Sequence, residues 1–144
     1  MRRSVLSVWL VTALVFVTSA ACGDSNPTVP TPTPAPPVTD TFTGTINTNG
    51  AMTFPFTAAT GGFVTVKLTS VQPDSTTTIA VGLGTFNTST NVCTIQPGLN
   101  IEKATQGATF VASVSVAGTL CLRVADSSGT LTGPTTFSVD VAHP

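Results

Sequence analysis

The chain has 144 residues, five Lys or Arg, six Asp or Glu and one His, for a formal net charge of −1. Past residue 21 the only bases are the scattered Lys67, Lys103 and Arg123, and a phosphate-binding surface needs clustered ones, so nucleic-acid binding is excluded as an expectation. With so few charges, solubility rests on Thr, Ser, Asn and Gln, and the Thr and Val content suits pleated, half-buried strands.

The chain opens Met1-Arg2-Arg3 and then runs uncharged from Ser4 to Ala21. A basic start, a short apolar core and small residues at Ser19-Ala20-Ala21 describe a secretory signal peptide. The uncharged run is nearly long enough to span a bilayer, so a retained helix is the competing reading. Cleavage after Ala21 makes Cys22 the first mature residue. Ala20-Ala21-Cys22 resembles the end of the lipobox of bacterial lipoproteins, in which the cysteine thiol takes a diacylglycerol. Ser19 departs from the Leu usual in that family. Ser19 and Ala21 also suit an ordinary signal peptidase, which would cut the same bond and leave a free thiol. Gly23 lacks the Asp that, in the lipoprotein family, retains proteins on the inner membrane, so the resemblance implies an outer-membrane anchor.

Asn26 to Pro37 reads NPTVPTPTPAPP. Proline fixes φ and removes backbone donors, which forbids helix and sheet. Such a chain is extended at about 3.1 Å per residue, giving residues 23–40 a reach on the order of 55 Å. The expected organisation is a signal peptide (1–21), a lipid-anchored Pro/Thr-rich tether (22–40) and one domain (41–144), which is large enough for a single core.

Within the domain, short alternating runs are separated by turn residues. TFTGTI (41–46) ends at Asn47-Thr48-Asn49-Gly50, a turn signal. AMTFPFT (51–57) places Met52, Phe54 and Phe56 on one face, and Pro55 marks an edge strand. FVTVKLTSV (63–71) aligns Val64, Val66 and Leu68, and 77–84 aligns Ile79, Val81 and Leu83. The run 108–116 aligns Phe110, Ala112, Val114 and Val116. The run 119–125 aligns Leu120, Leu122 and Val124, and 136–142 aligns Phe137, Val139 and Val141. An eighth strand is conceivable around Phe86 or Val92–Ile95, although segment 86–106 reads as weak. Apolar faces backed by Thr, Ser, Lys, Arg and Asp mean sheets wet on one side. The expected fold is a single all-β antiparallel sandwich of seven or eight strands, jelly-roll or immunoglobulin-like.

The segments FTGTI (42–46), GGFVTVKLTS (61–70), AGTLCLRVADSSG (117–129) and FSVDVAHP (137–144) together resemble the bacterial pre-peptidase C-terminal domain. The resemblance spans nearly all of residues 40–144. It implies a β-sandwich accessory module that serves secretion, folding of attached enzymes or polymer binding. The aromatic usual after the Gly-Thr of that family is Leu120 here. The acidic positions that some relatives use for calcium read Thr76 to Val81, so calcium does not carry over, and no cofactor or metal is expected.

Three cysteines is an odd number for an exported chain. With Cys22 lipidated, Cys93 and Cys121 remain to pair in an oxidising compartment. Cys121 falls on the face opposite Leu120 and Leu122, where a lone thiol has little reason to sit.

The remaining polar candidates read as structural. His143, next to the last residue, is expected to be too loosely held to serve as a base beside a nucleophile, and one His with two spaced Cys matches no zinc spacing. Asp126-Ser127-Ser128-Gly129 reads as a hairpin turn. Asp140 reads as a solvated strand residue near Arg123 or Lys67. Asn87-Thr88-Ser89 fits a glycosylation acceptor but is read as a loop. Sugar stacking is served poorly: Trp9 lies in the signal and there is no Tyr, leaving Phe63 as the best exposed aromatic. The expected function is therefore non-enzymatic. It is display of a monomeric sandwich at the bacterial envelope, or secreted, for adhesion or as an accessory to a protein partner. A polysaccharide- or peptide-binding module is the alternative.

Overall fold

A computed structural model describes residues 36–144. The expected signal peptide (1–21), Cys22 and most of the expected tether lie outside the described residues. The described chain is all β, with eight strands: β1 (Val38–Ile46), β2 (Ala51–Ala58), β3 (Gly62–Gln72), β4 (Ile79–Asn87), β5 (Val92–Ala104), β6 (Thr109–Val114), β7 (Gly118–Ala125) and β8 (Thr135–His143). They form two four-stranded sheets, ordered β1-β8-β3-β6 and β2-β7-β4-β5. Every pairing is antiparallel.

The alternation read from the sequence sets the layers. Val64, Val66 and Leu68 of β3 and Phe137, Val139 and Val141 of β8 point inward from the first sheet. Ile79, Val81 and Leu83 of β4 and Leu120, Leu122 and Val124 of β7 answer them from the second, and all are buried. Each fully buried Val or Leu contributes roughly 1.5–3 kcal/mol relative to exposure, so this double row dominates the stability. Phe42, Phe54, Phe56 and Phe137 close the sandwich at the β1/β2 side. Phe42 stacks on Phe54 at 5.2 Å between centroids, and Phe54 meets Phe137 edge-on at 6.0 Å.

The turn at Asn47–Gly50 forms as expected. Gly50 N–H donates to the Asn47 carbonyl at 2.7 Å, and Asn49 takes the left-handed conformation that its short polar side chain tolerates. β2 is an edge strand of its sheet, as Pro55 requires.

Three expectations are corrected. The first strand begins at Val38, three residues earlier than its alternation indicates, because β8 extends to His143 and supplies partners for Val38, Thr39 and Asp40. The strand at 108–116 stops at Val114, and Val116 is 68% exposed rather than inward. Residues 115–117 carry the chain from one sheet to the other and break the alternation. Segment 86–106 is not weak: it holds the longest strand, β5, of 13 residues. Its pairing with β4 is interrupted so that Gly84 opposes Ile95 while Gly82 opposes Asn100. Residues 96–99, with Pro97 and a left-handed Gly98, bulge out between them. Pro and Gly read as strand breakers in sequence, whereas here they occupy a bulge, the place in a sheet that accepts them.

Candidate functional site

The outer face of the second sheet is the most elaborated surface. β4 turns Ala80, Gly82 and Gly84 outward, residues too small to form a wall of their own, and yet all are buried. The first half of β5 lies across them. A Cβ on Gly84 would come within 2.2 Å of the Thr94 carbonyl oxygen, and one on Gly82 within 3.2 Å of the Ile95 side chain. The glycines are thus the seat on which this arm rests. Its end is fastened by the Cys93–Cys121 disulfide, with an S–S distance of 2.07 Å and Cα atoms 5.9 Å apart, inside the range of native bridges. Cys121 points away from Leu120 and Leu122, as the alternation requires, and the arm buries it fully.

Beside the arm lies a shallow groove of about 280 Å³ lined by Gly82, Ile95, Asn100, Glu102, Arg123 and Ser127 among others. Asn100 Nδ2 donates to Glu102 Oε1. The groove therefore offers a guanidinium, a carboxylate and an amide to a polar ligand, with no aromatic face. A second cleft, of about 330 Å³, opens between the sheets at the β5/β6 side and is mostly apolar, with Leu83, Leu99, Val114, Val116 and Leu120 in its lining.

Asp126 opens a turn as expected, but the turn does not belong to a hairpin. Asp126 is 3% exposed, and β7 and β8 lie in different sheets, so the segment between them is a crossover rather than a hairpin. Its Oδ2 accepts from Asn49 N–H at 3.1 Å and Leu131 N–H at 3.1 Å, and Oδ1 accepts from Thr130 N–H at 3.0 Å. Its backbone carbonyl accepts from Gly129 N–H at 3.4 Å. Burial by itself would raise its pKa. The N–H groups of Asn49, Leu131, Thr130 and Gly129 outweigh that and hold the carboxyl below its ordinary value. The bonds to Thr130 and Leu131 are local and belong to an Asp-led turn, but the link back to Asn49 joins turns 77 residues apart and leaves no local signature.

His143 is likewise held, not loose. It ends β8, is 5% exposed and stacks on Phe56 at 5.0 Å. Its Nε2 lies 3.1 Å from Asp40 Oδ2 and its Nδ1 3.3 Å from the Pro144 carbonyl oxygen. The expectation failed because β1 reaches back far enough to pair with the chain's last strand. Both ring nitrogens are taken, so this imidazole has none aimed at a hydroxyl or thiol nucleophile. No group of three or more His, Cys, Asp or Glu side chains is placed to hold a metal among the described residues.

Asp140 sits directly opposite Lys67 in the β3/β8 register and accepts from Thr41 Oγ1 at 2.7 Å, as a solvated strand residue near Lys67. Arg123, the other expected neighbour, lies in the other sheet. Asn87 caps the β4–β5 turn, its Oδ1 accepting from Ser89 N–H at 3.0 Å and Thr90 N–H at 3.1 Å. Phe63 is 73% exposed on the outer face of the first sheet.

No family model and no curated protein matches the chain. Among solved structures it is similar to the Yersinia pseudotuberculosis-derived mitogen (YPM), at 16% identity and a TM-score of 0.49, over 75% of this chain and 87% of that one. The likeness says nothing of what this chain binds.

Proposed function

We propose that this chain is an exported bacterial lipoprotein. In this reading a diacylglycerol on Cys22 anchors it, and the Pro/Thr-rich segment holds a β-sandwich away from the cell envelope. The sandwich acts without catalysis, in adhesion or as an accessory to a protein partner, in the manner of a pre-peptidase C-terminal domain. The observation that carries the reading is the order of segments: Arg2-Arg3, an uncharged run to Ala21, Cys22, then prolines at 27, 30, 32, 34, 36 and 37. The Cys93–Cys121 bridge supports it in two ways. It suits an oxidising compartment, and it leaves Cys22 as the one cysteine outside the bridge. Gly23 favours the outer membrane over the inner.

The test is Cys22→Ser. Two acyl chains gaining about 0.8 kcal/mol per buried CH₂ anchor stably, so the wild-type chain enters the detergent phase of a membrane extraction and the variant the aqueous phase. Wild-type protein in the aqueous phase would refute the anchor.

A second reading, a polysaccharide- or peptide-binding module, rests on the exposure of Phe63. Against the polysaccharide form of it, the stacking surface and the hydrogen-bonding groove lie on opposite outer faces of the sandwich.

A further inference from the structure

An antiparallel sheet leaves two edges, each a row of unpaired N–H and C=O groups that native chains usually blunt. Among the described residues, three of the four edges are blunted. β1 carries Asp40 and follows Pro36-Pro37, β2 carries Pro55, and β5 carries the Pro97-Gly98 bulge with Glu102 and Lys103. The fourth, β6, reads TFVASV (109–114). It has no proline, glycine, charge or bulge. The whole stretch Ala108–Leu120 is uncharged.

The hydrogen-bond phase identifies which groups are free. Leu68 N–H donates to the Ala108 carbonyl at 2.9 Å, and the β3/β6 register continues without a break from Lys67↔Thr109 to Gly62↔Val114. Bonding pairs alternate along an antiparallel ladder. Phe110, Ala112 and Val114 therefore spend their backbone groups on β3. Thr109, Val111 and Ser113 direct theirs to the free edge.

We infer that β6 pairs antiparallel with β6 of a second copy of this chain about a two-fold axis at Val111, joining the two first sheets into one. The two-fold puts Val111 opposite Val111 and Thr109 opposite Ser113, so every outward backbone group of the strand finds a partner. On the outer face, Val111 is 56% exposed and Phe63, on the next strand, 73%. The seam brings this apolar surface together from both copies. On the inner face the same register sets the partner's Phe110 against Ala112, a large residue on a small one, at the lining of the apolar cleft between the sheets. An uncharged strand meets its own image without like-charge repulsion. The monomer expected from sequence rested on no residue of β6.

Disulfide trapping in the full chain tests the register. Directly opposed bonding residues have Cα atoms about 5.5 Å apart, within reach of a disulfide. Val111→Cys then runs as a covalent dimer on a non-reducing gel. Ser113→Cys, whose counterpart lies four residues along the strand, roughly 13 Å away, does not. Because Val111 is exposed, Val111→Lys keeps the folded-state circular dichroism while halving the mass measured by sedimentation. A wild-type chain that sediments as a monomer over a hundred-fold concentration range would overturn the inference. So would equal trapping by the two cysteine variants. A mixed disulfide between Val111→Cys and a different envelope protein would place a foreign strand on the edge and also overturn it.

Discussion

The two outer faces of this sandwich are built on opposite principles. The first sheet turns Thr39, Thr41, Thr43 and Thr45 of β1 outward, beside Ser138 and Asp140 of β8 and Thr65 and Lys67 of β3. These are polar side chains suited to water, Thr41 Oγ1 also donates to Asp140, and nothing lies over them among the described residues. The second sheet turns Ala80, Gly82, Gly84 and Cys121 outward. Such residues satisfy no water and fill no space, and the chain covers them with its own β5 arm. A strand whose outer positions are small and apolar is therefore a seat for another segment, and one whose outer positions carry hydroxyls is a finished surface. The disulfide belongs to the covered face because the first half of β5, set off by the 96–99 bulge, keeps only a short ladder to the end of β4, and the bridge ties it to β7 as well.

The largest effect comes from the layer the faces share. Val124→Asp buries an unpaired carboxylate, at a cost on the order of several kcal/mol. Arg123→Ala, one residue away on the exposed face, changes stability by about 0.5 kcal/mol or less. Thermal melts of the two variants that coincide would mean the β7 register is off by one.

Next comes the clasp. Cys93 and Cys121 are 28 residues apart in sequence, and closing a loop of that length is worth roughly 3–4 kcal/mol in the chain-entropy model. The Cys93→Ser/Cys121→Ser double variant is expected to lose that stability. Hydrogen-exchange protection should fall first in residues 92–97, while the first sheet keeps its protection until global unfolding. Uniform loss across both sheets would show that the bridge does not hold this part of β5 separately from the rest of the sandwich.

The smallest effect separates the faces by pH. Asp126 has its pKa lowered in the folded state, so its contribution is present above the unfolded value near pH 4 and lost as pH falls through the folded value. As pH falls below about 4, the wild-type melting temperature drops more steeply than that of Asp126→Asn. Parallel curves would remove Asp126 as the link between the Asn49 turn and the β7–β8 crossover.

The inward rows of β2, β3, β4, β7 and β8 were readable because each repeats Val, Leu, Ile or Phe at every second position, the simplest pattern a strand with one buried face can leave. The Cys93–Cys121 pair was readable from parity and from the face on which Cys121 falls. The arm was not, because Pro97 and Gly98 carry the same letters in a bulge as in a loop. Its one signal was Ala80, Gly82 and Gly84 alternating with Ile79, Val81 and Leu83, small residues where a wet face carries Thr or Ser. His143 was misjudged because the strand that holds it, β1, lies more than a hundred positions earlier. Asp126 was read halfway: the turn ahead of it is local, and its partner Asn49 is not.

The claim on which the function rests is that one cysteine carries lipid while the other two are joined. The intact mass of protein extracted from membranes tests both at once. The account predicts a chain beginning at Cys22, heavier than residues 22–144 by a diacylglycerol, and gaining about 2 Da on reduction as one disulfide opens. An unmodified mass for residues 22–144, or a chain that still carries residues 1–21, would contradict it.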